Sequence, residues 1–297
     1  MAYPSDIIRT AKAYIGYHEK ASNRDLDSMT GNSGSGNYTK FARDLDKISF
    51  FNGPKQGFDW CAVYYDALHV YTLGDGASAR SALYQPNAKY NCGAGCTQQA
   101  GYYRDANAFF SDPRPGDQIF YGKTGDEAHT GLVVEVTGTE IVTIEGNVSN
   151  AVRLLRHKLT DKNIVGYGRP RYQSNDPCAV HVVVAGDTLN DIAGDYGTTA
   201  DRIAEENGIA DPNQITVGEV LIFRKGDKKW TTGDVFCRYG DSGTAVKMLQ
   251  ALLKHRGLDV VYDGYFGAET RSAVMVWQRS KDITVDGVVG DETLKTL

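Results

Sequence analysis

Apolar positions recur at helical spacing from the start of the chain. Ile7, Ile8, Ala11, Tyr14 and Ile15 share one face and Gly16 ends the run, which predicts a helix over residues 6–15. Residues 20–36 are polar and rich in Gly, Ser and Asn, which predicts a long loop. Residues 37–45 predict a short second helix. A third apolar run opens at Cys61 in Asp59-Trp60-Cys61-Ala62-Val63, with Asp59 as the expected N-cap, and Gly74-Asp75-Gly76 breaks it. Cys92 and Cys96 lie in a Gly-rich bend within residues 86–101. The period then changes. Residues 118–121, 131–136 and 140–146 are β-branched or aromatic runs, and Thr137-Gly138-Thr139 joins the last two as a hairpin. Residues 152–159 predict a further strand. Helices followed by a meander of strands predict an α+β domain over residues 1–172.

Two smaller segments follow, set off by polar stretches at 173–179 and 225–235 that read as linkers. Residues 180–224 predict a strand at 181–184, helices at 188–196 and 199–207, and a strand at 220–223. Residues 236–297 contain an internal echo. Asp263-Gly264-Tyr265-Phe266-Gly267-Ala268-Glu269-Thr270 recurs 23 positions later as Asp286-Gly287-Val288-Val289-Gly290-Asp291-Glu292-Thr293. Two turn-plus-helix units behind a leading helix at 244–256 predict a three-helix bundle. The expected whole is an α+β multidomain chain.

Composition narrows the class of partner. The chain has 297 residues, 41% hydrophobic and 23% charged, with a net charge of −5. Nothing in that balance points to nucleic acid or an anionic membrane. No apolar run approaches the length of a membrane span. Met1-Ala2-Tyr3-Pro4-Ser5-Asp6 has neither a basic nor an apolar leader pattern, so no secretory signal is expected. Five cysteines are too few and too scattered for a disulfide scaffold.

The chemistry concentrates at Cys61. A thiol in the first turn of a helix meets backbone N–H groups and the positive end of the helix dipole, which favour a thiolate. A small buried cysteine is the plain alternative at such a position. A nucleophile needs a general base. His69 lies eight residues on in the same helix, about 12 Å away at 1.5 Å rise per residue, and is out of reach. His18 and His157 sit in charged, solvated stretches, and His181 and His255 belong to the later segments. His129 remains, at the entrance to the hairpin. Folding about Gly138 brings 131 opposite 145 and 129 opposite 147, so Glu145 and Asn147 share the face of His129 and can orient its ring. The Cys61 N–H is one expected oxyanion donor, and Gln56 is a candidate for another. Asp25-Leu26-Asp27 and Asp44-Leu45-Asp46 are fragments of a calcium-loop pattern that neither completes, and no HExxH is present, so no metal or cofactor is expected and calcium is at most an accessory.

Several motifs together carry a resemblance. Ile15-Gly16-Tyr17-His18-Glu19-Lys20, Phe58-Asp59-Trp60-Cys61, Pro115-Gly116-Asp117-Gln118-Ile119-Phe120, His129-Thr130-Gly131-Leu132-Val133, Ile144-Glu145-Gly146-Asn147 and Gly166-Tyr167-Gly168-Arg169-Pro170 resemble the CHAP family, cysteine, histidine-dependent amidohydrolases/peptidases of papain-like fold. The resemblance implies Cys61 as nucleophile, His129 as base, and Glu145 with Asn147 as orienting groups. Many relatives carry an acidic residue after the cysteine, where this chain has Ala62.

Residues 180–224 resemble a LysM module through Gly186-Asp187-Thr188-Leu189, Tyr196-Gly197-Thr198-Thr199 and Pro212-Asn213-Gln214-Ile215, with His181 in place of the usual opening tyrosine. That resemblance implies a βααβ fold that binds N-acetylglucosamine-containing glycan through Gly186, Asp187, Thr188 and Leu189 and through Pro212, Asn213 and Ile215. Asp187 and Thr188 also suit a plain helix cap. The segment holds eight carboxylates against two arginines, so attraction to anionic wall polymers cannot guide it. Residues 236–297 resemble a three-helix peptidoglycan-binding domain through Gly240-Asp241-Ser242-Gly243, Asp263-Gly264, Gln278 and Asp286-Gly287.

The expected function is that of a monomeric peptidoglycan hydrolase, an amidase or an endopeptidase. By resemblance it is lysin-like and of phage type, reaching the wall after release from the host cytoplasm or by non-classical export. The alternative is a non-catalytic wall-binding or phage structural protein with a degenerate first domain.

Overall fold

The computed structural model describes residues 1–86, 92–225, 237–242 and 244–297. They form two compact units, Met1–Val136 with Glu140–Asp176, and Thr137–Thr139 with Pro177–Leu297.

The first unit begins with helices α1 (Pro4–Lys12), α2 (Lys40–Lys47), α3 (Cys61–Leu73), α4 (Gly76–Ala82) and α5 (Cys96–Asp105). An antiparallel sheet follows, built from β1 (Phe109–Phe110), β2 (Gln118–Lys123), β3 (Asp126–Val136), β4 (Glu140–Val148), β5 (Ala151–Lys158) and β6 (Ile164–Gly168) in the order β1-β6-β2-β3-β4-β5. The result is α+β. Helix α1 stops at Lys12, short of the expected Ile15, because residues 13–16 turn out through Gly16 at φ 88°. Residues 92–95 form the expected bend, and helix α5 begins where it ends, at Cys96. Its first turn is closed by Gln98, whose side-chain oxygen accepts the N–H of Gly95 at 3.3 Å.

Helix α3 is the centre of this unit. Every residue from Cys61 to His69 is buried, so it packs on all sides rather than along one stripe. It lies against β3 and β4. The approach is close at Gly146, where an added Cβ would stand 2.7 Å from Tyr64 Cβ and 2.8 Å from the Trp60 ring. On its other side Trp60 stacks on Phe41 at 5.8 Å and donates its indole N–H to Glu19 at 2.7 Å. This buried polar anchor fixes the start of the helix.

The second unit opens with β7 (Cys178–Val182), α6 (Leu189–Tyr196), α7 (Ala200–Asn207) and β8 (Val220–Arg224), the strands paired antiparallel. Thr188 and Thr199 cap the two helices by accepting the N–H groups of Asp191 and Arg202. Helices α8 (Thr244–His255), α9 (Ala268–Ser280) and α10 (Asp291–Leu294) complete the unit.

The sequence echo has a physical basis here. Gln250 on α8 accepts the N–H of Gly264 at 2.8 Å and donates to Asp263, Tyr265 O and Thr270. Gln278 on α9 does the same for Gly287, Asp286, Val288 O and Thr293. Each buried amide clasps one Asp-Gly turn, four bonds recur in both clasps, and Gln278 also accepts the Asp286 N–H at 3.2 Å. The βααβ part and the helical part also touch. Arg271 pairs with Asp195 at 2.6 Å, and the Tyr196 and Tyr239 rings meet edge to face at 5.5 Å.

Candidate active site

Cys61 is the first residue of α3, and its N-cap is Trp60, with no side-chain cap bond. Asp59 is therefore not the cap. Its carboxylate accepts the Asn147 amide at 3.1 Å instead. The Cys61 thiol is nearly buried, at 7% exposure.

The hairpin supplies the imidazole. Strands β3 and β4 pair Leu132 with Ile144 and Val133 with Thr143, a register that continues to 131 opposite 145. His129 Nε2 lies 2.8 Å from Glu145 Oε2. The same ring also interacts with the Cys61 thiol. Gly131 makes the arrangement fit, since a Cβ there would stand 2.4 Å from Glu145 Cγ.

Glu145 is held more firmly than the sequence suggested. Its Oε1 accepts from Tyr121 OH at 2.7 Å, Thr143 Oγ1 at 2.6 Å and His157 Nε2 at 2.9 Å. His157 is thus part of the site rather than solvated, and its side chain is only 18% exposed. Strand alternation carried the signal, because 153, 155 and 157 on β5 share the parity of their partners 145, 143 and 141 on β4. Tyr121 faces His129 across β2 and β3, with the rings stacked at 5.8 Å.

Asn147 shares the neighbourhood without touching the imidazole in any described hydrogen bond. A register irregularity between Glu145 and Val148, with Asn147 at φ 63°, turns its amide to Asp59. Instead of orienting His129, it ties the segment before Cys61 to the hairpin. Gln56 is not positioned as a free oxyanion donor either. Its oxygen accepts the Thr39 N–H at 2.9 Å, and its NH₂ donates to Thr39 O at 2.9 Å and to Asn23 at 3.1 Å. His69 is buried between Tyr65 O and Tyr172 OH. Asp27 and Asp44 both pair with Arg43. Among the described residues no group of three or more His, Cys, Asp or Glu is placed to hold a metal ion.

Cys96 begins α5 and brings its Sγ to 3.6 Å from that of Cys61. Cys92 lies elsewhere and donates its S–H to Gln85 at 3.0 Å.

Electrostatics separate the two thiols. A hydrogen bond from Cys96 is the largest influence on Cys61, and with the help of His129 and the Ala62 N–H it outweighs burial and brings the thiol down to about 5. Cys96 is pushed far up by the same contact and by burial, and stays protonated. Burial alone would lower His129, but its bonds to Cys61 and Glu145 prevail and raise it to about 10. Burial would raise Glu145, yet the donors His129, His157 and Thr143 hold it at about 2. The site therefore favours a thiolate–imidazolium pair over a carboxylate. Ala62 contributes through its backbone, and its side chain is buried, so a small residue suits the position.

In the second unit, the candidate glycan residues divide. Asp187 accepts Val184 N–H and His181 Nε2, both at 2.8 Å, and Thr188 caps α6. Leu189 lies in the core at 1% exposure, and Ile215 packs against that core. Gly186, at φ 96°, has open space where a side chain would stand, and Asn213 is exposed at the other loop. Side chains of the first loop thus shape the loop itself.

Residues 181–224 match the family model of the LysM domain. Residues 242–297 match the one described as "Putative peptidoglycan binding domain". The chain carries a LysM domain and a peptidoglycan-binding domain. Both matches lie beyond Asp176, where the first unit ends. The chain is 45% identical over 49 residues to "Secreted LysM effector slp2" of Pyricularia oryzae, covering 16% of this chain and 17% of that protein. It is 42% identical over 60 residues to "N-acetylmuramoyl-L-alanine amidase CwlM" of Mycobacterium tuberculosis, covering 20% and 14% respectively. The chain thus spans less than a fifth of either relative's length. No solved structure matches it. The two domains indicate binding to peptidoglycan, and no described helix is long and apolar enough to cross a membrane.

Proposed function

We propose that the first unit is a CHAP-type cysteine amidohydrolase that cleaves an amide bond of peptidoglycan, held on its substrate by the second unit. The observation that carries this reading is the chain Cys61–His129–Glu145, in which a thiol at a helix start meets an imidazole braced by a buried carboxylate. Similarity to an amidase and the presence of two wall-directed domains support peptidoglycan as the substrate.

The Cys61 thiolate attacks the amide carbonyl carbon, and the Cys61 backbone N–H faces the developing oxyanion. The C–N bond breaks as imidazolium His129 gives its proton to the leaving amine. His129, now neutral, takes a proton from water, whose oxygen attacks the thioester. The C–S bond breaks with Cys61 leaving as thiolate, the acid product departs and ionises to a carboxylate, and the thiolate–imidazolium pair is restored. Glu145 stays ionised throughout and steadies the imidazolium. Two binding domains on one chain keep the enzyme on the insoluble polymer by raising its effective concentration there. Bacteriolysis of phage-lysin type is the role we propose for such an assembly.

Cys61→Ser tests the reading. Lysis of purified wall should disappear while wall pull-down is unchanged. Lysis near the wild-type rate would overturn the mechanism. Failure of the wild type to digest any wall, with no selective alkylation of Cys61, would favour a purely wall-binding protein. Mass spectrometry of the digest identifies the bond. A new N-terminal alanine marks a muramoyl–L-alanine amidase, and any other freed amine marks an endopeptidase.

A further inference from the structure

Cys96 stands at the site with no part in the reaction as written. Its Sγ is 3.6 Å from the Cys61 Sγ, and the two thiols lie at the first positions of separate helices, α3 and α5. An S–S bond is about 2.0 Å long, so closing it needs a sulfur movement of about 1.5 Å, within reach of side-chain rotation. The cysteines are 35 residues apart, and neither Cys92 nor the other two cysteines appears in a described contact with them. Both sit just below the surface, at 7% and 8% exposure, within reach of a small oxidant.

We propose that Cys61 and Cys96 form a reversible disulfide, with Cys96 resolving the sulfenic acid left on Cys61 by hydrogen peroxide. The Cys61 thiolate attacks one peroxide oxygen. The O–O bond breaks, an S–O bond forms, and the departing hydroxide takes a proton to become water. The sulfur is oxidised by two electrons and the peroxide reduced by two. The Cys96 sulfur then attacks the Cys61 sulfur, the S–O bond breaks, and the Cys96 proton leaves with the hydroxyl as a second water. A dithiol reverses the product by exchange, becoming a disulfide itself. The disulfide withdraws the nucleophile and also shields it from irreversible oxidation. A thiolate flanked by a protonated thiol differs in this from a solitary catalytic cysteine, whose sulfenic acid has no thiol of its own chain beside it.

The inference takes its reactive thiolate from the function proposed above, but its test needs no wall substrate. The full chain is treated with hydrogen peroxide, alkylated, and analysed by intact mass and by peptide mapping without reduction. The wild type should lose two hydrogens, yield a linked peptide containing Cys61 and Cys96, and recover iodoacetamide labelling at Cys61 after dithiothreitol. Cys96→Ser should gain two or three oxygens at Cys61 and not recover. Wild-type protein that gains those oxygens as fast as the variant, with no linked peptide, overturns the proposal. A linked peptide joining Cys61 to any other cysteine overturns it too. Should the variant misfold, the wild-type map decides alone. A chain that forms this disulfide yet digests no wall would refute the hydrolase reading and leave the thiol pair standing.

Discussion

The carboxylate of Glu145 passes directly over Gly131. A Cβ at residue 131 would sit 2.4 Å from Glu145 Cγ and 3.1 Å from its carboxyl carbon. The absence of a side chain at 131 is thus what lets Glu145 reach His129. Gly131→Ala should push the carboxylate away from the imidazole with little effect on the core, because Glu145 can swing aside but not through the new methyl. Misplacement of about 1 Å costs on the order of 100-fold in rate. Wall-lysis rate, with circular dichroism to confirm the fold, checks this. An unchanged rate would separate Glu145 from catalysis.

The thiolate–imidazolium pair sets a pH window. Cys61 loses its proton as pH rises through about 5, and His129 keeps its own until about 10. kcat/KM on soluble wall fragments should rise through the lower value, stay flat across neutrality and fall through the upper one. A profile rising only near the ordinary thiol value of 9.0 would show that no such pair forms.

The strongest single influence on Cys61 is its neighbour's S–H. Cys96→Ala removes that donor and should move the acid limb of Cys61 alkylation upward, while Cys96→Ser keeps a donor and should move it less. The pH dependence of iodoacetamide labelling measures both.

Thr143 lies fully buried and donates to Glu145 at 2.6 Å. Thr143→Val removes one hydrogen bond to a charged group, a loss of about 1.5–3 kcal/mol. Glu145 has a folded value of about 2 against the usual 4.5, so its contribution to stability is present above 4.5 and lost as pH falls toward 2. Thr143→Val weakens a bond to the ionised form, raises the folded value and shrinks that increment. Denaturant titrations at neutral and acid pH should show the difference between wild type and variant narrowing in acid.

Gln278 is buried, and its side chain makes five hydrogen bonds around one turn. Gln278→Ala strands the Gly287 N–H and should destabilise the second unit by about 3 kcal/mol. Wall pull-down should weaken with warming in this variant, while Cys61 labelling in the first unit stays at the wild-type rate.

What could be read from the sequence followed local rules. Counting from Gly138 gave the register at 132 and 144 that His129 and Glu145 follow, although the pairs next to the turn are shifted by one and an irregularity at Val133–Glu135 restores it. The Asp-Gly echo announced two equivalent turns. What escaped depended on contacts far apart in the chain. Helix α5 was hidden by the glycines that precede it, and without α5 there was no reason to bring Cys96 to Cys61. His157 needed the β4–β5 register in addition to that of the first hairpin. Asp59 is of a residue type that prefers to cap, but the helix begins after Trp60 and the Asp59 carboxylate accepts the Asn147 amide instead.

The bridge from Arg271 to Asp195 and the meeting of Tyr196 with Tyr239 have a mechanical meaning. Two binding domains joined only by a polar tether would behave like hooks on a string, each landing wherever the polymer offered a place. Held to each other by these contacts, the two parts meet the wall as one body rather than as two independent hooks.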